Sequence, residues 1–130
     1  MSTLLEQAEL AADLLGAAAH ENGRIVCTAE SLTGGMVSEL ITSVAGSSAW
    51  FDRGYVTYQI SGKEEMIDVP AEVIAEFGVV SEPVAEAMAR GALACSHADL
   101  SVALTGVAGP SGGTAQTPAG PVCIGWAERA

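Results

Sequence analysis

The sequence predicts an α/β fold, with helices packed on a mostly parallel sheet. Three observations carry that expectation. Segments with helical spacing of apolar residues alternate with short strand-like apolar runs. The last two strands have no helix between them, which calls for one antiparallel pairing. The chain of 130 residues is 49% hydrophobic and only 16% charged, enough apolar material for one packed core. Aromatics make up just 5%, so that core must be built from Ala, Val, Leu and Ile.

Each element has its own signal. Residues 3–19 carry Leu4, Ala8, Ala11, Leu15 and Ala18 at helical spacing, and Gly23 suits a left-handed cap beyond them. "RIVCTA", residues 24–29, is a short buried strand. Residues 32–44 form a second helix with Met36, Val37, Leu40, Ile41 and Val44 on one face. "AGSSAW" is a loop. "FDRGYVTYQ", residues 51–59, is a strand that places Val56 and Tyr58 on one side and Tyr55 and Thr57 on the other. Ser61 and Glu64 match a capping box, which starts a short helix with Lys63 in its first turn. Pro70 opens another helix that Gly78 closes. Ser81 caps a longer one reaching residue 98, with Pro83 in its first turn. "DLSVALTG", residues 99–106, is a strand. Residues 107–120 are a glycine-rich loop, and "PVCIGWA", residues 121–127, is the final strand.

Bulk properties exclude several functions. A net charge of −11 repels phosphate backbones, so no nucleic-acid partner is expected. A small anionic ligand stays admissible, because local helix ends can outweigh the global field. Cys27, Cys95 and Cys123 are odd in number and form no CxxC, which argues against disulfides and zinc and for reduced thiols in the cytoplasm. Glu6, Glu9 and Asp13 interrupt any secretory apolar region, and no stretch approaches the roughly 20 residues of a membrane span. Neither a membrane partner nor a metal or cofactor is expected. Apolar residues beyond the needs of one small core predict self-association.

"TAESLTGG", residues 28–35, follows a strand and opens a helix. Two readings stand for Ser31. It, or Thr33, is an N-cap; or it is a nucleophile, with N–H groups of Thr33, Gly34 and Gly35 ready for an anion or oxyanion. "TGVAGPSGG", residues 105–113, is a glycine loop beyond a strand's C-terminal end, where ligands bind in open α/β sheets. It is neither a P-loop nor a dinucleotide fingerprint. Lys63 is the only lysine in the chain. It is a solvated surface group, or a lysine whose pKa the positive helix end lowers until it serves as base for a serine. Glu30 is either a helix-end carboxylate or a substrate contact. His20 and His97 adjoin no motif, and no cluster has metal-ligand spacing.

Taken together, "TAESLTGG", "GYVTYQISGKEEMIDVP", "FGVVSEPVAEAMARGA" and "ALTGVAGPSGG" resemble the CinA C-terminal domain family, in that order and at that spacing. The resemblance covers most of residues 4–127. It implies a three-layer α/β/α sandwich around a mixed sheet. It implies an amidase that hydrolyses nicotinamide mononucleotide to nicotinic acid mononucleotide and ammonia, without metal. The family's serine nucleophile falls on Ser31, its lysine on Lys63 and its tyrosine on Tyr58. Its substrate-binding positions fall on Thr105 and on the loop glycines Gly106, Gly109, Gly112 and Gly113, beside the Thr33–Gly35 turn. The alternative is a non-catalytic nucleotide-binding module of a competence or damage-response protein.

Two departures from the family pattern stand out. "QISG", residues 59–62, replaces the usual acidic or asparagine-containing stretch before the lysine. Members commonly continue past the last strand with a loop bearing a functional arginine and then a helix, whereas this chain ends at Ala130, and Arg129 is no substitute. One face of the sheet is therefore expected to lack cover.

Overall fold

The computed structural model describes residues 2–107 and 120–130. They form α1 (Leu4–Glu21), β1 (Val26–Glu30), α2 (Met36–Thr42), a 3-10 turn at Ser47–Ala49, β2 (Phe51–Val56), α3 (Ile60–Ile67), α4 (Ala71–Phe77), α5 (Glu82–Ala94), β3 (Leu100–Gly106) and β4 (Val122–Glu128). The sheet runs β2-β1-β3-β4. β1 is parallel to β2 and β3, while β3 and β4 pair antiparallel, the pairing expected from the sequence.

Period-two alternation along β1 divides two cores. Cys27 and Ala29 pack with Ile67, Val84, Met88 and Ala92 on the side of α3, α4 and α5. Val26 packs with Ala19, Ile41 and Trp50 under α1 and α2. This is the expected α/β/α layering. The central strand β1 is buried along its whole length, so its polar residues must find partners inside the protein.

Several boundaries differ from the sequence expectation. The buried stripe of α1 is Ala12, Gly16 and Ala19 rather than Ala8, Ala11 and Ala18, because small residues let the helix approach Trp50. Leu10 and Leu14 stay exposed on its outer face. α2 starts at Met36, not residue 32, because Gly34 and Gly35 take left-handed conformations. α3 starts at Ile60 with Gln59 as N-cap, so Ser61 forms no capping box. α5 stops at Ala94. The Arg129 guanidinium donates to the carbonyls of Leu93 and Ala98 there and satisfies the chain leaving the helix.

Other local signals hold. Ser81 Oγ accepts from the Val84 N–H and also donates to the Gly78 carbonyl. Ser81→Ala is expected to lower stability by about 1 kcal/mol in urea unfolding, without altering any activity. On β4, the face carrying Val122, Ile124 and Trp126 is exposed, while Gly125 on the other face lets α5 come close. A methyl at Gly125 would sit 2.6 Å from the Ala85 backbone. No described helix is long and apolar enough to cross a membrane. Of the three free cysteines, Cys27 is buried, and Cys95 and Cys123 are partly exposed.

Candidate active site

The C-terminal end of β1 brings the chemistry together. Alternation sends Glu30 toward α2 and the next residue, Ser31, toward α3. The Ser31 backbone N–H donates to the Leu104 carbonyl (3.0 Å), which holds the turn against β3. Ser31 is buried but for 6% of its surface, and Lys63, from the middle of α3, is fully buried. Lys63 Nζ lies 3.0 Å from Ser31 Oγ. It also donates to the carbonyls of Thr57 (2.7 Å) and Tyr58 (3.1 Å). Those two carbonyls are free for it because β2 ends at Val56 rather than at residue 59. Burial pushes the Lys63 pKa below the ordinary lysine range.

Tyr58 contributes through its backbone. Its carbonyl accepts from Lys63, whereas its ring is exposed and its phenol bonds to no described residue. The sequence singles out Tyr58 and not Thr57, which it only places on the same side of the strand as Tyr55. The Thr57 N–H donates to the Glu30 carbonyl (2.8 Å), which ties the end of β2 to β1 beneath the dyad. A methyl at Gly62, in the altered "QISG" stretch, would make only ordinary contact with the Thr57 backbone, 3.4 Å away, so the packing of α3 there does not require glycine.

The open question on Glu30 resolves in favour of the helix end. Its carboxylate accepts from the N–H groups of Val37 and Ser38 (both 2.9 Å) and from the Ser38 hydroxyl (2.6 Å). Burial opposes its ionisation, but these hydrogen bonds outweigh burial and hold the carboxyl below the usual range. The start of α2 is therefore occupied, and it is not the anion site that the sequence suggested. The Gly34 N–H is also used, by the Ser31 carbonyl (3.1 Å). The N–H groups of Leu32, Thr33 and Gly35 donate to no described residue. Thr33 Oγ1 is buried beside the Glu30 carboxylate without a well-formed hydrogen bond among the described residues, and it adds only weakly to holding that carboxyl charged.

Thr105 is buried, and its hydroxyl donates to the Val79 carbonyl (3.0 Å), so it ties the α4–α5 connection to β3. That commitment takes the proton expected to meet a nucleotide. Gly106 lies against the turn that follows Ser31: a methyl there would sit 3.2 Å from Leu32 and 2.6 Å from the Pro121 carbonyl oxygen. Gly109, Gly112 and Gly113 lie outside the described residues. Arg129 lies at the opposite end of the sheet, near the start of β3, with its guanidinium engaged as described.

Residues 8–130 match the CinA C-terminal domain model. The chain belongs to the CinA C-terminal domain family. Among family relatives, the nicotinamide-nucleotide amidohydrolase PncC of Escherichia coli K12 is 50% identical over 113 residues, which cover 87% of this chain and 68% of the relative. The protein of the same name from Enterobacter agglomerans is 46% identical over 115 residues, covering 88% and 70%. Among solved structures, the competence/damage inducible protein CihA from Agrobacterium tumefaciens superimposes with a TM-score of 0.93 at 43% identity, covering 99% of this chain and 78% of the other. CinA-family membership accounts for the mixed sheet and for the strand–turn–helix that carries Ser31.

Proposed function

We propose that this chain is an amidohydrolase that converts nicotinamide mononucleotide to nicotinic acid mononucleotide and ammonia through a Ser31–Lys63 dyad. The observation that carries the reading is the surrounding of Lys63 Nζ: one hydroxyl and two backbone carbonyls, with no carboxylate. A neutral amine has two N–H donors and one lone pair. Thr57 and Tyr58 take the two donors, so the lone pair is left for the Ser31 hydroxyl proton. Once that proton arrives, the ammonium has three donors for the same three oxygens. The nest thus serves both protonation states, as a general base must.

The reaction balances on that single proton. Ser31 Oγ bonds to the carboxamide carbon while its proton moves to Lys63. The carbon–nitrogen bond then breaks, and the proton leaves with ammonia. Water attacks the resulting ester, Lys63 takes the water's proton, and that proton returns to Ser31 Oγ. The N–H groups of Leu32, Thr33 and Gly35, which donate to no described residue, are the donors at hand for the oxyanion. The identity to proteins named nicotinamide-nucleotide amidohydrolase supports the choice of substrate.

The test is ammonia release from nicotinamide mononucleotide with a chelator present. Only the neutral amine is active, so kcat/KM rises with pH as Lys63 loses its proton. The midpoint should fall below the roughly 10.4 of a free lysine. Calorimetric binding of the mononucleotide with no turnover would instead identify a binding module.

A further inference from the structure

Glu30 is a fully buried acid that the dyad chemistry does not use. Its contacts form one chain of hydrogen bonds. Thr28 Oγ1 lies 2.7 Å from Ser38 Oγ, and Ser38 Oγ donates to Glu30 Oε2. Val37 and Ser38 add their N–H groups. Thr28 and Glu30 share one face of β1, two residues apart. Position 54 of β2 must be glycine for this chain to fit, because a side chain there would overlap the hydroxyls of Thr28 and Ser38.

The consequence falls on the turn between. Residues 32–35 leave β1 just after Ser31, whose N–H is held by Leu104. They enter α2 at Met36, whose first turn is held by Glu30. Both ends are anchored to the same strand end. Gly34 and Gly35, both left-handed, supply no stiffness of their own.

We propose that Glu30 is a positioning residue for the hydrolysis: by clamping the first turn of α2 to the end of β1, it fixes the 32–35 turn and so the aim of Ser31 Oγ and of the N–H groups of Leu32, Thr33 and Gly35. This rests on the amidase reading above. Charge is part of the design. Three donors converge on Glu30, and only a carboxylate accepts all of them. Glutamine would turn an N–H toward one of those donors. Glu30 shares no hydrogen-bond partner with Lys63: its carboxylate is held by Val37 and Ser38, whereas Lys63 Nζ bonds to Ser31, Thr57 and Tyr58.

The experiment compares wild type, Glu30→Gln and Ser38→Ala in nicotinamide mononucleotide hydrolysis, well below each unfolding midpoint, alongside backbone amide exchange. In Glu30→Gln, kcat should fall about 100-fold, KM should stay within about threefold, and the acid limb of kcat/KM should not move. Exchange at residues 32–38 should accelerate roughly tenfold or more, while β1 and β3 amides keep their protection. Ser38→Ala removes one of the three donors and should cost roughly fivefold in kcat. Unchanged kcat overturns the proposal. So does a loss confined to KM, which would mean substrate contact, or a shifted acid limb, which would mean action through Lys63. If Glu30→Gln does not fold, the Ser38→Ala result decides by itself, and unchanged kcat there overturns the clamp. If wild type releases no ammonia, the amidase reading fails, and amide exchange alone then judges the clamp.

Discussion

Ser31→Ala is expected to remove ammonia release almost completely, by about 10⁴-fold or more, while leaving the fold in place. The variant loses the nucleophilic oxygen but keeps the turn, because the Ser31 N–H still donates to Leu104 and its carbonyl still accepts from Gly34. The deleted hydroxyl served Lys63 Nζ and, at 3.5 Å, the Tyr58 carbonyl, so stability should change by only about 1 kcal/mol. Lys63→Met should cost a similar factor in kcat, since each residue is useless without the other. The double variant should then be no slower than either single one. Quench-based ammonia measurement on all three variants, with circular dichroism as the control for folding, checks this. Residual activity within tenfold of wild type for Ser31→Ala would remove the serine from its role.

Gly91→Ala should give the largest loss of stability, roughly 3 kcal/mol in urea unfolding. Gly91 is in the interior of α5, where alanine would normally help the helix by about 1 kcal/mol. Packing reverses that preference. A methyl at Gly91 would overlap the Ile67 carbonyl oxygen and come within 3.0 Å of its carbon. Both are backbone atoms at the end of α3, so no rotamer change relieves the clash. Ile67 is fully buried and leaves α3 little room to retreat. Lys63 sits one turn earlier on that helix, so any retreat draws Nζ away from Ser31. Activity per folded molecule should therefore fall as well, measured by titrating kcat against the folded fraction. A Gly91→Ala protein as stable as wild type would show that α3 and α5 are not packed this closely.

The two variants mark different kinds of information in the chain. Ser31 and Lys63 could be singled out from sequence because each breaks a local pattern. One is a serine and two glycines at a strand-to-helix turn, and the other is a lone lysine in an acidic protein. The elements were legible for the same reason. Period-two and helical spacing, the Ser81 cap and the Gly23 and Gly78 stops all act between near neighbours in the chain. What stayed hidden was decided by residues distant in sequence. The carbonyls of Thr57 and Tyr58 became lysine ligands because β2 stops early and α3 folds back over its end. Glu30 could be assigned to α2 only once β1 had a direction and two faces. Thr105 reads as a ligand contact until Val79 is seen to take its proton. Gly91 reads as a blemish in a helix until Ile67 is placed against it. By itself, then, the sequence determined which segments are helix or strand and the α/β class, since these follow from local sterics and apolar periodicity, and it left Ser31 and Lys63 as candidates. Tertiary structure alone decided which buried groups share their protons and how closely two helices approach, because both depend on where the sheet carries residues some thirty positions apart.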